Sequence, residues 1–245
     1  METVRFWSEI IREHMLFLAY LLDLPGNEQR RFGAVELEQE WANLLKFQSE
    51  IPVQQFLNLS RRTLILKEDV LAASNQFELS SKLPQQQLSE LLRHMIEELL
   101  YFEAIFTGTI TPQQELSFLA RESAEHDKLA LETLLNPPVH IQRQIELGVH
   151  RLFQQSESPN CDLLKTLDDS NQTGREIKLQ IQHGELTSIV PLVMLNHELR
   201  EGEWARERIH QIQQQCPSPY SQSNSEERRI SSHPNSIIQR FFSRD

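Results

Sequence analysis

The stretch FWSEIIREH, residues 6–14, lies over FLARESAEH, residues 118–126, without a gap, so that Phe6 meets Phe118, Glu13 meets Glu125 and His14 meets His126. Both stretches run on to a Leu-Leu pair and a proline: Leu21-Leu22 before Pro25, and Leu134-Leu135 before Pro137. A second match closes each half. LLRHMIEELLYF, residues 91–102, overlays MLNHELREGEWA, residues 194–205, which pairs His94 with His197 and Glu98 with Glu201. Between these anchors Leu37-Glu38 with Trp41 overlays Ile145-Glu146 with Val149, and Lys67 overlays Lys178. Internal similarity held in register over this length marks a duplicated architecture.

Each copy reads as four helices. Apolar residues recur with a 3.6-residue period over about 2–22, 27–48, 52–79 and 85–108, and again over about 112–135, 138–155, 161–185 and 188–214. Leu24-Pro25-Gly26-Asn27 and Asn136-Pro137-Pro138 stop helices, since proline cannot continue an α-helix and also restricts the residue before it. Thr111-Pro112 fits a helix start with threonine as N-cap and proline at N1. The 245 residues include only 7 glycines, too few for a turn-rich β fold. Leu, Gln and Glu dominate, as when straight-chain residues fill helical positions. The expected fold is all-α, with two tandem four-helix bundles at 1–110 and 111–215. A tail at 216–245, rich in Ser, Pro, Asn and Arg, is expected to be mostly disordered, with one short amphipathic piece at Ile237 to Phe242.

Charge and composition exclude several roles. With 24 basic against 35 acidic side chains the net charge is −11, and no basic stripe offsets it, so nucleic acid is not an expected partner. The N-terminal helix carries charges at helical spacing and lacks the apolar core of a signal peptide. No apolar run reaches the 18 or more residues needed to cross a bilayer, so no membrane partner is expected. Cys161 and Cys216 are far apart and suggest no disulfide framework, which leaves a reducing cytoplasm as the expected compartment. There is no Gly-rich phosphate loop, nucleophile elbow or Cys-x-x-Cys pair.

The repeated polar residues carry the chemistry. His14 lies on the stripe Trp7, Ile10, Ile11, Phe17, Leu18 and Leu21, which aims its ring into the bundle core. His94 and Glu98 are four apart and share a face, as do His197 and Glu201. An unpaired buried carboxylate costs several kcal/mol or forces protonation, whereas a divalent cation held by imidazole and carboxylate satisfies all of the groups at once. Each half therefore offers a two-His, one-carboxylate triad: His14, His94 and Glu98 in the first, His126, His197 and Glu201 in the second. Such a set with open positions suits Fe(II) and also accepts Mn or Zn. Glu38 and Glu146, on the second helices, are candidates for an added ligand or for holding an imidazole. A carboxylate-bridged pair needs a Glu from each of two helices and two Glu-x-x-His motifs, which neither half supplies, so one mononuclear centre per half is expected.

The chain resembles an uncharacterised bacterial family of duplicated, ferritin-like four-helix bundles, a domain-of-unknown-function group. Its repeats open on a Phe-Trp-x6-His helix ending in Leu-Leu-Asp-Pro, matched here by Phe6, Trp7, His14, Leu21, Leu22 and Asp23. Its closing helices read approximately Asp-His-x2-Arg-Glu-x-Glu, matched by Asn196, His197, Arg200, Glu201 and Glu203. The resemblance spans about residues 4–212. It implies a ferritin-like fold and iron or a similar metal in each bundle, held by His14, His94, Glu98, His126, His197 and Glu201. Departures spare these positions: Leu119 stands opposite Trp7, Asn136 opposite Asp23, and Asn196 and Arg200 opposite Arg93 and Glu97.

The expected function is a metal-binding protein whose centres, iron first, serve oxidase, sensor or storage chemistry. Whether it is an enzyme is left open. The alternative is a non-enzymatic helical scaffold that binds a protein partner and keeps its His and Glu residues as ion pairs. Glu13 and Glu125 are expected to face solvent, about 100° from their neighbouring histidines. Lys67 and Lys178 are expected to be solvated or paired with a carboxylate, and Trp7, Trp41 and Trp204 to fill the core. His183 and His210 have no counterparts and receive no role.

Overall fold

The computed structural model describes residues 2–46, 51–160 and 162–215; both cysteines and the expected tail with its amphipathic piece lie outside these residues. The described residues form eight α-helices: α1 (Glu2–Leu21), α2 (Glu28–Leu44), α3 (Val53–Asn75), α4 (Gln85–Thr107), α5 (Pro112–Thr133), α6 (Val139–Glu157), α7 (Leu163–Gln182) and α8 (Leu192–Gln215). Among them there is no strand, only an isolated antiparallel bridge between Leu134 and Ser188. None of these helices is long and apolar enough to cross a membrane.

Local chemistry explains the boundaries. Asn27 precedes α2, and Thr111 caps α5: its hydroxyl accepts from the Gln114 backbone N–H while Gln114 Oε1 accepts from the Thr111 N–H, with Pro112 in the first turn. α4 ends at Gly108, whose φ of +67° lets its own N–H reach Ile105 and the Thr109 N–H reach Ala104. The few residues between Thr107 and Pro112 make α4 and α5 neighbours. α3 stops at Asn75, earlier than the expected 79. Phe77 takes the left-handed conformation (φ +58°), and the Glu78 N–H closes back onto Ala73.

Width of burial separates inner from outer helices. α4 buries residues over most of its circumference, from Leu88 and Leu91 through His94, Met95 and Glu98 to Tyr101 and Phe102, and α5 does likewise. α2 buries only Ala34, Leu37, Trp41 and Leu44, and α6 only Ile141, Ile145 and Leu152, the narrow stripe of a helix with one wet face. α1 packs on α2 and α4, α3 on α4, and α5 on α6 and α7. Met1–Gln213 form one compact unit. α1, α4, α5 and α8, which carry the repeated histidines, meet at its centre through the side chains described next.

Candidate metal centre

The buried stripe Trp7, Ile10, Ile11, His14, Phe17, Leu18 and Leu21 on α1 turns the His14 ring inward, 1% exposed. On α4, the four-residue spacing puts His94 and Glu98 side by side on the face toward α1 and α5, and on α8 His197 and Glu201 repeat this. His126 comes from α5. All six residues expected from the sequence converge. With Glu122 they make two groups whose ligand atoms lie within 4.8 Å of one another: His14, Glu98, His197 and Glu201, and His94, Glu98, Glu122 and His126.

The two groups share Glu98, which is fully buried. Its Oε2 lies 3.0 Å from His14 Nε2, while its Oε1 lies 3.4 Å from His94 Nε2 and 3.6 Å from His126 Nε2. Glu201 Oε2 reaches His126 Nε2 at 3.1 Å and His197 Nε2 at 3.4 Å. Glu122 Oε1 lies 3.0 Å from His94 Nε2 and 3.9 Å from His126 Nε2. His14 Nε2 and His197 Nε2 face each other at 3.1 Å. These approaches are close in distance but off hydrogen-bonding directions: none of the six oxygens of Glu98, Glu122 and Glu201 has a directed hydrogen bond among the described residues. Buried acceptors are normally satisfied, so six such oxygens, four of them within 4 Å of imidazole nitrogens, leave lone pairs that could hold a cation. Four imidazoles and three carboxylates form a nitrogen and oxygen donor set that fits Fe, Mn or Zn.

The expectation of one centre in each half, built from that half's own residues, differs from this arrangement. Each group draws on both halves, because the histidine-bearing helices of the two repeats face one another. His14 meets His197, and His94 meets Glu122 and His126. Glu38 and Glu146 are not in either group. Glu38 is one position off the inward stripe of α2 and accepts from Arg12 Nη1 at 2.7 Å; Glu146 is exposed on α6 and accepts from Gln142 at 2.8 Å.

A second layer orients the imidazoles, and here the sequence reading misjudged three residues. Glu13 does not face solvent. It is buried, and its Oε2 accepts from His197 Nδ1 at 2.6 Å and from Arg200 Nη2. Burial works against its charge, but His197 and Arg200 outweigh it and hold its pKa below the ordinary carboxylate range. Glu125 mirrors it, with Oε2 3.0 Å from His94 Nδ1, and its pKa is likewise lowered, by His94 against burial. Each of these glutamates, adjacent to its own half's first-helix histidine, thus holds the fourth-helix histidine of the other half. Lys67 is fully buried rather than solvated; its Nζ donates to the Met95 carbonyl at 2.5 Å and lies 3.2 Å from His14 Nδ1, and burial pushes its pKa down to about 7. Glu122 was missed, although it stands four before His126, the spacing of His94 and Glu98. The overlay pairs it with Ile10, so a search confined to matched positions passes over it.

The field in the cluster is uneven. Burial, reinforced by Lys67 against the opposing Glu98, drives the His14 pKa well below its usual value. For His94 burial is outweighed by Glu122 and Glu98, and for His126 by Glu201 and Glu98, so both are pushed well above. Burial raises the pKa of Glu122 and of Glu201, whereas His94 and His14 overcome it at Glu98 and lower that pKa. Burial thus favours a neutral His14, while the neighbouring carboxylates favour charged His94 and His126.

No family model matches the chain, and no curated protein matches it. Among solved structures it is similar to the crystal structure of an uncharacterized protein from Bacillus cereus G9241, with a TM-score of 0.71 at 13% identity over 86% of this chain and 89% of that one. At that identity the likeness concerns the fold.

Proposed function

We propose that the chain is a metalloprotein whose repeats, residues 1–110 and 111–215, jointly hold one two-metal non-haem centre. In this ferritin-like reading, one ion would be held by His14, His197, Glu201 and Glu98 and the other by His94, His126, Glu122 and Glu98. The observation that carries it is the set of six buried carboxylate oxygens with no directed hydrogen bond, four of which lie within 4 Å of imidazole nitrogens. Ion pairing alone accounts for it poorly: a buried carboxylate paired only electrostatically should still collect hydrogen bonds, and two of the three have raised pKa values that mark them as under-compensated. Iron is the first expectation and Mn or Zn the alternatives, since imidazole and carboxylate discriminate weakly among them. Bound iron would supply redox chemistry on dioxygen or a peroxide. The chain's own residues do the rest. Glu13 and Glu125 accept from the Nδ1–H of His197 and His94 and so leave each Nε2 lone pair free, and Lys67 leaves His14 Nε2 free in the same way when, as a neutral amine, it accepts from His14 Nδ1–H. The hydrophobic surround excludes bulk water.

Elemental analysis of the purified, iron-reconstituted protein tests this, with two metal ions per chain expected. Glu98→Gln should lose both, because both groups use Glu98. Glu122→Gln should weaken only the His94–His126 position. One ion per chain that survives Glu98→Gln, or a wild type that stays metal-free, would overturn the proposal.

A further inference from the structure

One turn from the carboxylates stands a group of oxidisable rings. Tyr101 follows Glu98 by three residues on α4, and Trp204 follows Glu201 by three on α8, a displacement of about 4.5 Å along each axis. Trp7 of α1 fits between them: its ring centroid is 5.3 Å from Tyr101 and 5.1 Å from Trp204, edge-on to both, and Tyr101 and Trp204 are 6.2 Å apart. Tyr101 and Trp7 are buried, whereas Trp204 is half-buried and stacks at 5.5 Å on the half-buried Phe6. The rings therefore lead from the interior beside the His/Glu cluster to the surface.

The inner end carries a proton acceptor. The Tyr101 hydroxyl donates to Glu115 Oε1 at 3.1 Å, and Glu115, 2% exposed, is held by Arg208 through Nε at 2.6 Å and Nη2 at 2.9 Å. Packing does not call for this arrangement. Phenylalanine would fill the same space without a buried acid that needs its own guanidinium. A buried phenol that loses an electron must also lose its proton, because the charged radical has no water to stabilise it, and Glu115 stands at hydrogen-bonding distance to take it.

We propose that Tyr101, Trp7 and Trp204 form a one-electron relay between the His/Glu cluster and the surface, with Glu115 as the proton acceptor of Tyr101. When Tyr101 gives up an electron, its O–H bond breaks, an O–H bond forms on Glu115, and a neutral tyrosyl remains. An electron from Trp7, replaced through Trp204 from a reductant at the surface, and the proton returned from Glu115 restore the phenol. The physiological oxidant, which rests on the two-metal reading, is a peroxide at the cluster, whose O–O bond takes up two such electrons and two solvent protons to give an alcohol or water and a second water.

The relay can be tested apart from the metal. A one-electron photo-oxidant flashed against the metal-free full-length protein should give a neutral tyrosyl signal by electron paramagnetic resonance. Tyr101→Phe should lose most of it, although Tyr20 and Tyr220 remain. Trp7→Phe and Trp204→Phe should each slow its appearance. Glu115→Gln should lower its yield, and because that change leaves Arg208 unpaired, the near-isosteric Tyr101→Phe is the deciding variant. Unchanged tyrosyl yield in Tyr101→Phe, or unchanged kinetics in both tryptophan variants, would overturn the relay. In protein shown by elemental analysis to hold iron, a peroxide should raise the same signal; its absence there, with the photochemical signal intact, would sever the relay from the cluster. Failure to take up iron at all would instead count against the two-metal reading.

Discussion

Lys67 stands where a buried positive charge is hardest to hold, fully enclosed and 3.2 Å from His14, with a pKa of about 7 because burial disfavours its ammonium form. Between about 7 and its ordinary 10.5 the unfolded chain binds a proton there that the folded chain does not, so this group favours folding more as pH rises through that interval. Thermal or urea unfolding of metal-free Lys67→Met should therefore lack that rise, at up to about 1.4 kcal/mol per pH unit relative to wild type. Equal pH slopes in the two proteins would show that the ammonium is not buried as described. Glu13 and Glu125 teach the same lesson. Their offset of about 100° from the neighbouring histidine is real, but it points to solvent only if the helix has one buried face. On α1 and α5 the second flank faces the other half, and its wall is His197 or His94.

At the scale of elements, the ends of helices and the seam between α7 and α8 carry local costs that single substitutions can expose. Phe77 closes α3 in the left-handed conformation and is 79% exposed, so it contributes strain and little burial. Phe77→Gly should stabilise the protein by about 0.5–1 kcal/mol, read as a higher unfolding midpoint in denaturant. Gly202, by contrast, has no room: a Cβ there would lie 2.1 Å from Asn171 Oδ1, and the Asn171 amide donates to the Gly202 carbonyl at 2.9 Å. Gly202→Ala should cost about 1–3 kcal/mol, because a buried, hydrogen-bonded side chain must move to admit one methyl group. A midpoint equal to wild type would mean that α7 and α8 do not approach as closely as this. The α5 start was legible beforehand, since Thr111, Pro112 and Gln114 act through neighbours in sequence.

At the scale of the whole molecule, the proposed shared centre would tie the folding of the two repeats together. A metal that binds only the folded state stabilises it by about 2.7 kcal/mol at a hundredfold excess over its dissociation constant. For a protein of this size that corresponds to a fall in melting temperature on the order of 5–10 °C after exhaustive chelation, as a single transition measured by calorimetry. Two separated transitions, one per repeat, would contradict a shared centre.

The sequence by itself determined the helices, their number among the described residues, and six of the seven clustered His and Glu residues, because each follows from a local rule: a 3.6-residue stripe, a cap, or a four-residue spacing repeated at the same register. It also made the internal repeat visible. Only the tertiary structure decided that the cluster spans both repeats, that Glu38 and Glu146 stay outside it, that Glu122 joins it, and that Glu13, Glu125 and Lys67 back its imidazoles. Those outcomes depend on which flank of α1, α4, α5 and α8 is covered by a distant stretch of chain. Periodicity within one helix distinguishes an inward face from an outward one, but it contains no term for the neighbour that covers a second flank.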